Sequence, residues 1–122
     1  MSRIAIVGAS NDRRKYGNKA VRAYLKQGDT VLPVNLRETA IEGLPAYPSL
    51  AAIEGTIDIA SFYIPPEIGL QVIEDAALKQ VGLVILNPGA QSEALLARAA
   101  ALGLHTIVAC SILRIGQEPD DL

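Results

Sequence analysis

Five nearly continuous apolar stretches mark the chain, at Ile4 to Val7, Thr30 to Val34, Asp58 to Ile64, Leu83 to Leu86 and His105 to Ala109. Each is short and rich in Ile, Val and Leu, as strands covered on both faces are. Between them apolar residues recur at three- and four-residue spacing, the signature of amphipathic helices. The first such helix runs from about Asn18 to Gln27 with Val21, Tyr24 and Leu25 on its inner face, and Gly28 ends it in a left-handed conformation. Another follows Pro65-Pro66, where a proline in the first turn sacrifices no hydrogen bond, and turns Ile68, Val72, Ile73, Ala76 and Ala77 inward before Gly82. The last starts at Ser92, a good N-cap, and stops at Gly103. A single helical turn, Ser49 to Ile53 capped by Ser49, is predicted between strands two and three.

Strands joined by helical crossovers form a parallel sheet, because the right-handed βαβ unit restricts the topology. The pattern therefore predicts an α/β, open, doubly wound domain spanning residues 1–122. Ligand sites in such folds lie outside the carboxyl ends of the strands, near the point where strand order reverses. Those ends read Gly8-Ala9-Ser10, Val34-Asn35-Leu36-Arg37, Tyr63 to Glu67, Asn87 to Ala90 and Ala109-Cys110-Ser111.

With 122 residues, 50% of them hydrophobic, the chain fits one domain with one core. No apolar run reaches membrane-spanning length and no signal-peptide pattern opens the sequence, so a soluble, cytoplasmic protein with no membrane role is expected. One cysteine and one histidine exclude a disulfide framework and a multi-cysteine metal site. The net charge of −2 conceals a split: residues 1–37 hold eight of the eleven Lys and Arg, and residues 38–122 hold eleven of the thirteen acids. Lys19, Arg22 and Lys26 fit the solvated face of the first helix. Arg13, Arg14, Lys15 and Arg37 are left to meet an anion. Nucleic acid is a poor candidate for that anion, given the negative net charge and the absence of any DNA-binding motif.

The first loop departs from the dinucleotide fingerprint G-x-G-x-x-G, since Gly8 is followed by Ala9 and Ser10 and glycine returns only at Gly17. Gly8 still permits a sharp turn, and Gly17 is expected to let backbone amides approach a ligand at the helix start. Amides and the helix dipole there favour phosphate, with Ser10 adding a hydroxyl donor. After the second strand Asn35 and Arg37 stand where an NAD site needs a carboxylate, and a guanidinium suits a phosphorylated ribose. That leaves NADP or coenzyme A; by itself Arg37 reads better as a surface loop residue. Tyr63, Ile64 and Pro65 form an apolar wall and Asn87, Pro88 and Gly89 a tight polar turn, both also ordinary ways to end strands. His105 falls at the edge opposite the site. Cys110 lies at the site end with no base nearby to lower its pKa, and reads first as a core residue, with a reversible disulfide to a ligand thiol as the alternative. Tyr16 and Lys15 are adjacent, so they do not share a helical face as a reductase pair would.

The order of "IAIVGAS" with its basic loop, "VLPVN", "GLPAYPSL", "NPGAQSE" and "ACS" resembles small stand-alone CoA-binding domain proteins, including the bacterial YccU-like group. It is also similar to the N-terminal nucleotide domain of the succinyl-CoA synthetase alpha subunit. The resemblance covers nearly the whole chain. It implies a Rossmann-like, five-stranded, mainly parallel sheet with helices on both faces, holding coenzyme A across its carboxyl edge. On this sequence it would set the diphosphate against Gly8, Ala9, Ser10 and the loop before Gly17, with Arg14, Lys15 and Tyr16 nearby. Val34, Asn35 and Arg37 would face the adenosine and its 3′-phosphate, Ile64 and Pro65 the adenine or pantetheine, and Asn87, Pro88 and Gly89 the pantetheine. The chain departs from many relatives in reading Asn35-Leu36-Arg37 after the second strand, in starting its first strand by Arg3 and in placing Ala109 before the cysteine. The synthetase's catalytic histidine belongs to a second domain. The expectation is a CoA or acyl-CoA binding module without chemistry of its own, serving a protein partner, a second copy of the chain or a sensing role. A small NADP-dependent reductase and an interaction module with an empty nucleotide site are the alternatives.

Overall fold

The computed structural model describes residues 2–122. In chain order its strands are β1 (Arg3–Val7), β2 (Thr30–Val34), β3 (Ala40–Ile41), β4 (Leu44–Pro45), β5 (Ile59–Phe62), β6 (Leu83–Leu86) and β7 (Thr106–Val108). The helices are α1 (Tyr16–Gln27), α2 (Pro66–Leu78), α3 (Glu93–Ala101) and α4 (Ser111–Arg114), followed by a 3-10 turn at Pro119–Asp121. Five parallel strands make the main sheet in the order β2-β1-β5-β6-β7. The chain steps outward from β1 to β2, then crosses back to β5 and continues to β7. Strand order thus reverses between β1 and β5, where the register pairs Val7 with Phe62. A crevice at that reversal is where open α/β sheets take ligands.

Alternation along each strand sends side chains to two cores. Ala5, Val7, Phe62, Val84 and Leu86 pack with Ile73 and Ala76 of α2 and Leu95 and Ala99 of α3. Ile4 and Ile6 face the other way, onto Ala20, Val21 and Tyr24 of α1 and Ile112 of α4. Helices therefore cover both faces of a Rossmann-like α/β sheet, as expected. Gly28 caps α1 in the left-handed region, and the Ser92 hydroxyl accepts the Leu95 amide at 3.0 Å to cap α3. Among the described residues no helix is long and apolar enough to cross a membrane.

Several local expectations are corrected. Helix α1 starts at Tyr16 rather than Asn18, and its buried arc is Gly17, Ala20, Val21 and Tyr24, which leaves Leu25 exposed one residue off that arc. Ile68, in the first turn of α2, is 48% exposed rather than turned into the core, while Gly69 beside it is buried. Residues 49–53 form a turn with i to i+3 bonds rather than a helix, although Ser49 Oγ does accept the Ala52 amide. The last strand is an edge strand, and its Val108 is exposed instead of covered. The β3–β4 hairpin falls in a region read as loop; its turn, Glu42-Gly43, has φ of 51° and 76°, the positive pair a two-residue hairpin turn uses.

Candidate functional site

The ends of β1 and β2 are tied together before any ligand is considered. Gly8 has φ +90°, and a Cβ there would lie 2.6 Å from the Tyr63 carbonyl oxygen at the end of β5. The amides of Gly8 and Ala9 both donate to the Val34 carbonyl at 3.2 Å. Asn35 Nδ2 donates to the Ala9 carbonyl at 2.9 Å, while its Oδ1 accepts the amides of Arg37 and Glu38. The free amide donors of this corner are therefore those of Ser10, Tyr16 and Gly17, which have no partner among the described residues.

Gly17 has a packing reason beside the one the sequence suggested. A Cβ on it would sit 2.2 Å from the Gly8 carbonyl oxygen, so its role is to let the first turn of α1 rest on the end of β1. That is the helix–strand packing duty of the third fingerprint glycine. Asn18, buried beside it, donates to the Ser10 carbonyl at 2.8 Å and to Glu42 at 3.1 Å, and accepts from Arg22 Nε at 2.7 Å. Ser10 Oγ accepts the Asp12 amide and shapes the loop.

The basic residues divide into paired and unpaired sets. Arg14 grips the Asp12 carboxylate through Nε and Nη2, both at 3.0 Å, and those bonds pull the Asp12 pKa down to about 2. Arg13 pairs with Glu42 at 3.1 Å. Lys19 donates to the Pro119 carbonyl and Arg22 to the Arg13 carbonyl, so these two helix residues are half-buried tethers rather than a solvated face. Lys15 and Arg37 are exposed and make no side-chain hydrogen bond among the described residues. They are the cations available to an incoming anion.

On the other side of the reversal Asn87 is a clasp. Its Nδ2 donates to Ser61 Oγ at 2.8 Å and to the Phe62 carbonyl at 2.9 Å, and its Oδ1 accepts the Ser111 amide at 2.8 Å. One buried side chain thus joins β5, β6 and α4. The Tyr24 hydroxyl meets Ser111 Oγ at 2.6 Å. Burial pushes the phenols of Tyr24 and Tyr63 above their ordinary value of 10, against the opposing pull of the Ser111 hydroxyl on Tyr24; the buried Tyr63 hydroxyl has no hydrogen-bond partner among the described residues. Cys110 is half-buried: it packs against the second core and also borders a cavity, so it is only in part the core residue the sequence suggested.

Three adjoining cavities of about 460, 520 and 490 Å³ run along this edge. The first is walled by Val34, Leu50, Ile64 and Val72, with Asn35 and Arg37 among its polar lining. The second lies over Gly8, Ala9, Ser10, Lys15, Tyr16 and Gly17, and is faced by Ile64, Pro65, Asn87, Pro88 and Gly89. The third is bounded by Tyr16, Tyr63, Pro88, Cys110, Leu113, Glu118 and Asp120. Gly8, Asn35 and Ile64 are common to the first two, and Tyr16, Tyr63, Asn87 and Pro88 to the last two. Of the residues assigned to the ligand from the sequence, Arg13 and Arg14 lie outside these cavities, held aside by Glu42 and Asp12. Those it missed are Leu36, Pro48, Ser49, Leu50, Ile68, Gln71, Val72 and Asp75 in the first cavity, and Leu113, Glu118, Pro119 and Asp120 in the third. The only signals were "GLPAYPSL", quoted without a role, and the exposed apolar pair Leu36 and Ile68, which become intelligible once they border an apolar cleft.

A family model described as "CoA binding domain" matches residues 2–116. The chain belongs to this family. It is 38% identical over 88 residues to the alpha subunit of ADP-forming acetate–CoA ligase II of Pyrococcus furiosus, a match covering 70% of this chain and 19% of that subunit. A conserved hypothetical protein of the same organism has a solved structure that superposes with a TM-score of 0.82 at 34% identity, covering 89% of this chain and 93% of that one. The apo form of the dinucleotide-forming acetyl-coenzyme A synthetase 1 of Ca. Korarchaeum cryptofilum gives a TM-score of 0.77 at 28% identity, over 87% of this chain and 25% of the synthetase. The chain spans less than a fifth of the length of the curated ligases it matches. Fold and family reading agree with the CoA-binding resemblance noted in the sequence.

Proposed function

We propose that this chain binds coenzyme A or an acyl-CoA across the carboxyl edge of its sheet and performs no chemistry on it alone, holding the ligand for a partner or as a sensor. The observation that carries this reading is the continuity of the three cavities and the order of their chemistry. The apolar first cavity suits an adenine ring, and Arg37 on its lining suits the phosphate on the adjoining ribose. Over the second, the amides of Ser10, Tyr16 and Gly17 with the Lys15 ammonium suit a diphosphate at a helix start. Pro65, Pro88 and Gly89 then border a slender amide-bearing chain, which ends in the third cavity near Cys110. Asn35 and Asn87 serve this site chiefly by fixing its loops, since each side chain already makes three hydrogen bonds within the protein. Residence of the same domain in much larger acyl-CoA ligases supports service to a partner.

Calorimetric titration with CoA, dephospho-CoA and NADP tests the reading. CoA should bind best, and dephospho-CoA more weakly for lack of the group Arg37 meets. Binding of NADP without binding of CoA would overturn it in favour of a small reductase, and no heat with any nucleotide would favour an interaction module.

A further inference from the structure

Beyond the nucleotide, the third cavity has a character of its own. Its far wall is the segment from Glu118 to Asp120, which lies outside the residues matched by the family model. That wall is pinned to α1: Lys19 Nζ donates to the Pro119 carbonyl at 3.0 Å, and Gln117 Nε2 donates to the Ala23 carbonyl at 2.7 Å. Leu122 packs into the core beneath. The lining combines apolar groups, Leu113, Pro88 and the two tyrosines, with the carboxylates of Glu118 and Asp120. No lysine, arginine or histidine lines it. The Lys19 ammonium is occupied by the Pro119 carbonyl and lies over the Tyr16 ring, 5.4 Å from its centroid.

We propose that this cavity is an acyl chamber that admits uncharged short acyl groups on CoA and discriminates against acyl groups ending in a carboxylate. The proposal rests on the CoA-binding reading, which places the thioester end at Cys110. Like charges brought together without a compensating cation repel, and here two acidic residues, Glu118 and Asp120, line the space the acyl group would enter. Both are exposed and Lys19 is near, so the penalty is modest. For a carboxylated acyl group against a methyl-terminated one of the same length, it corresponds to about tenfold in affinity.

Butyryl-CoA and succinyl-CoA make the test, because they differ chiefly in a terminal methyl against a terminal carboxylate. Calorimetry at low salt on the full chain should show succinyl-CoA binding about tenfold more weakly than butyryl-CoA, with free CoA as the reference. In the double variant Glu118→Gln/Asp120→Asn the gap should close to within about twofold, and raised salt should narrow it in the unaltered chain. Each affinity is taken relative to free CoA in the same protein, so that any general effect of the two substitutions on a polyanionic ligand cancels. Equal affinities in the unaltered chain, or a gap that survives the double variant, would overturn the chamber while CoA binding itself stood. No binding of free CoA would overturn the underlying reading and the chamber with it.

Discussion

The site has a floor and a rim, and the two are built on opposite principles. The floor is Gly8, Gly17, Asn35, Asn87 and Ser111, packed closely and with the polar side chains of Asn35, Asn87 and Ser111 bonded to protein. The rim is Arg13, Arg14, Lys15 and Arg37, exposed and only partly paired. Residues of the floor set where the loops lie and offer little of themselves to a ligand. Residues of the rim do little for the fold and supply the field. Substitution should therefore damage stability at the floor and affinity at the rim.

The largest effect should come from Gly17→Ala. The added methyl would meet the Gly8 carbonyl oxygen at 2.2 Å, a backbone atom that cannot rotate away. Either α1 moves off β1 or the strand end shifts, at a cost of about 3 kcal/mol or more. Urea denaturation should show a large fall in midpoint; an unchanged midpoint would mean that the helix start is not seated on the strand. Asn87→Ala comes next. It strands Ser61 Oγ, the Phe62 carbonyl and the Ser111 amide in a buried place, and should cost about 2–4 kcal/mol in the same measurement.

A milder probe of the floor is alkaline pH. Tyr24 and Tyr63 have folded pKa values raised by burial above the ordinary 10. The unfolded chain therefore loses these protons first. Stability from keeping the phenols neutral is complete below about pH 10 and declines as pH climbs toward the folded values. Urea midpoints at pH 8 and pH 11 should differ accordingly. Tyr63→Phe should match the unaltered protein at pH 8 within about 0.5 kcal/mol and lose less between the two pH values. An equal loss in both proteins would remove Tyr63 from the account.

The same contrast explains how much was legible in the sequence. Three strand ends, at Val7, Val34 and Leu86, both helix caps and Gly8 declare themselves through local chemistry: apolar runs, a serine before a helix, a glycine where φ must be positive. The meaning of Gly17 was not local, because its neighbour is the carbonyl of Gly8 nine residues earlier. Asn87 read as a ligand-facing turn residue because its partners, Ser61, Phe62 and Ser111, lie on other elements. The first cavity escaped for the same reason. Its walls come from β2, the turn at Pro48 to Leu50 and α2, and periodicity assigned Ile68 and Val72 to the core face without showing that both also border a cleft.

Charge shows the gap most plainly, since the sequence left Arg13, Arg14, Lys15 and Arg37 alike to meet an anion. Partners decide otherwise. Arg14 donates both guanidinium nitrogens facing Asp12 and lines no cavity, whereas Arg37 has no side-chain partner among the described residues and lines the first cavity. Arg37→Ala should weaken CoA about five- to tenfold, with the loss shrinking at high salt and nearly absent for dephospho-CoA, and should leave stability within about 0.5 kcal/mol. Arg14→Ala should change CoA affinity by no more than about twofold, because the cation it removes is already neutralised by its neighbour. A loss at Arg14 equal to that at Arg37 would mean that Asp12 releases the guanidinium when ligand arrives, and the rim would then be a latch rather than a fixed field.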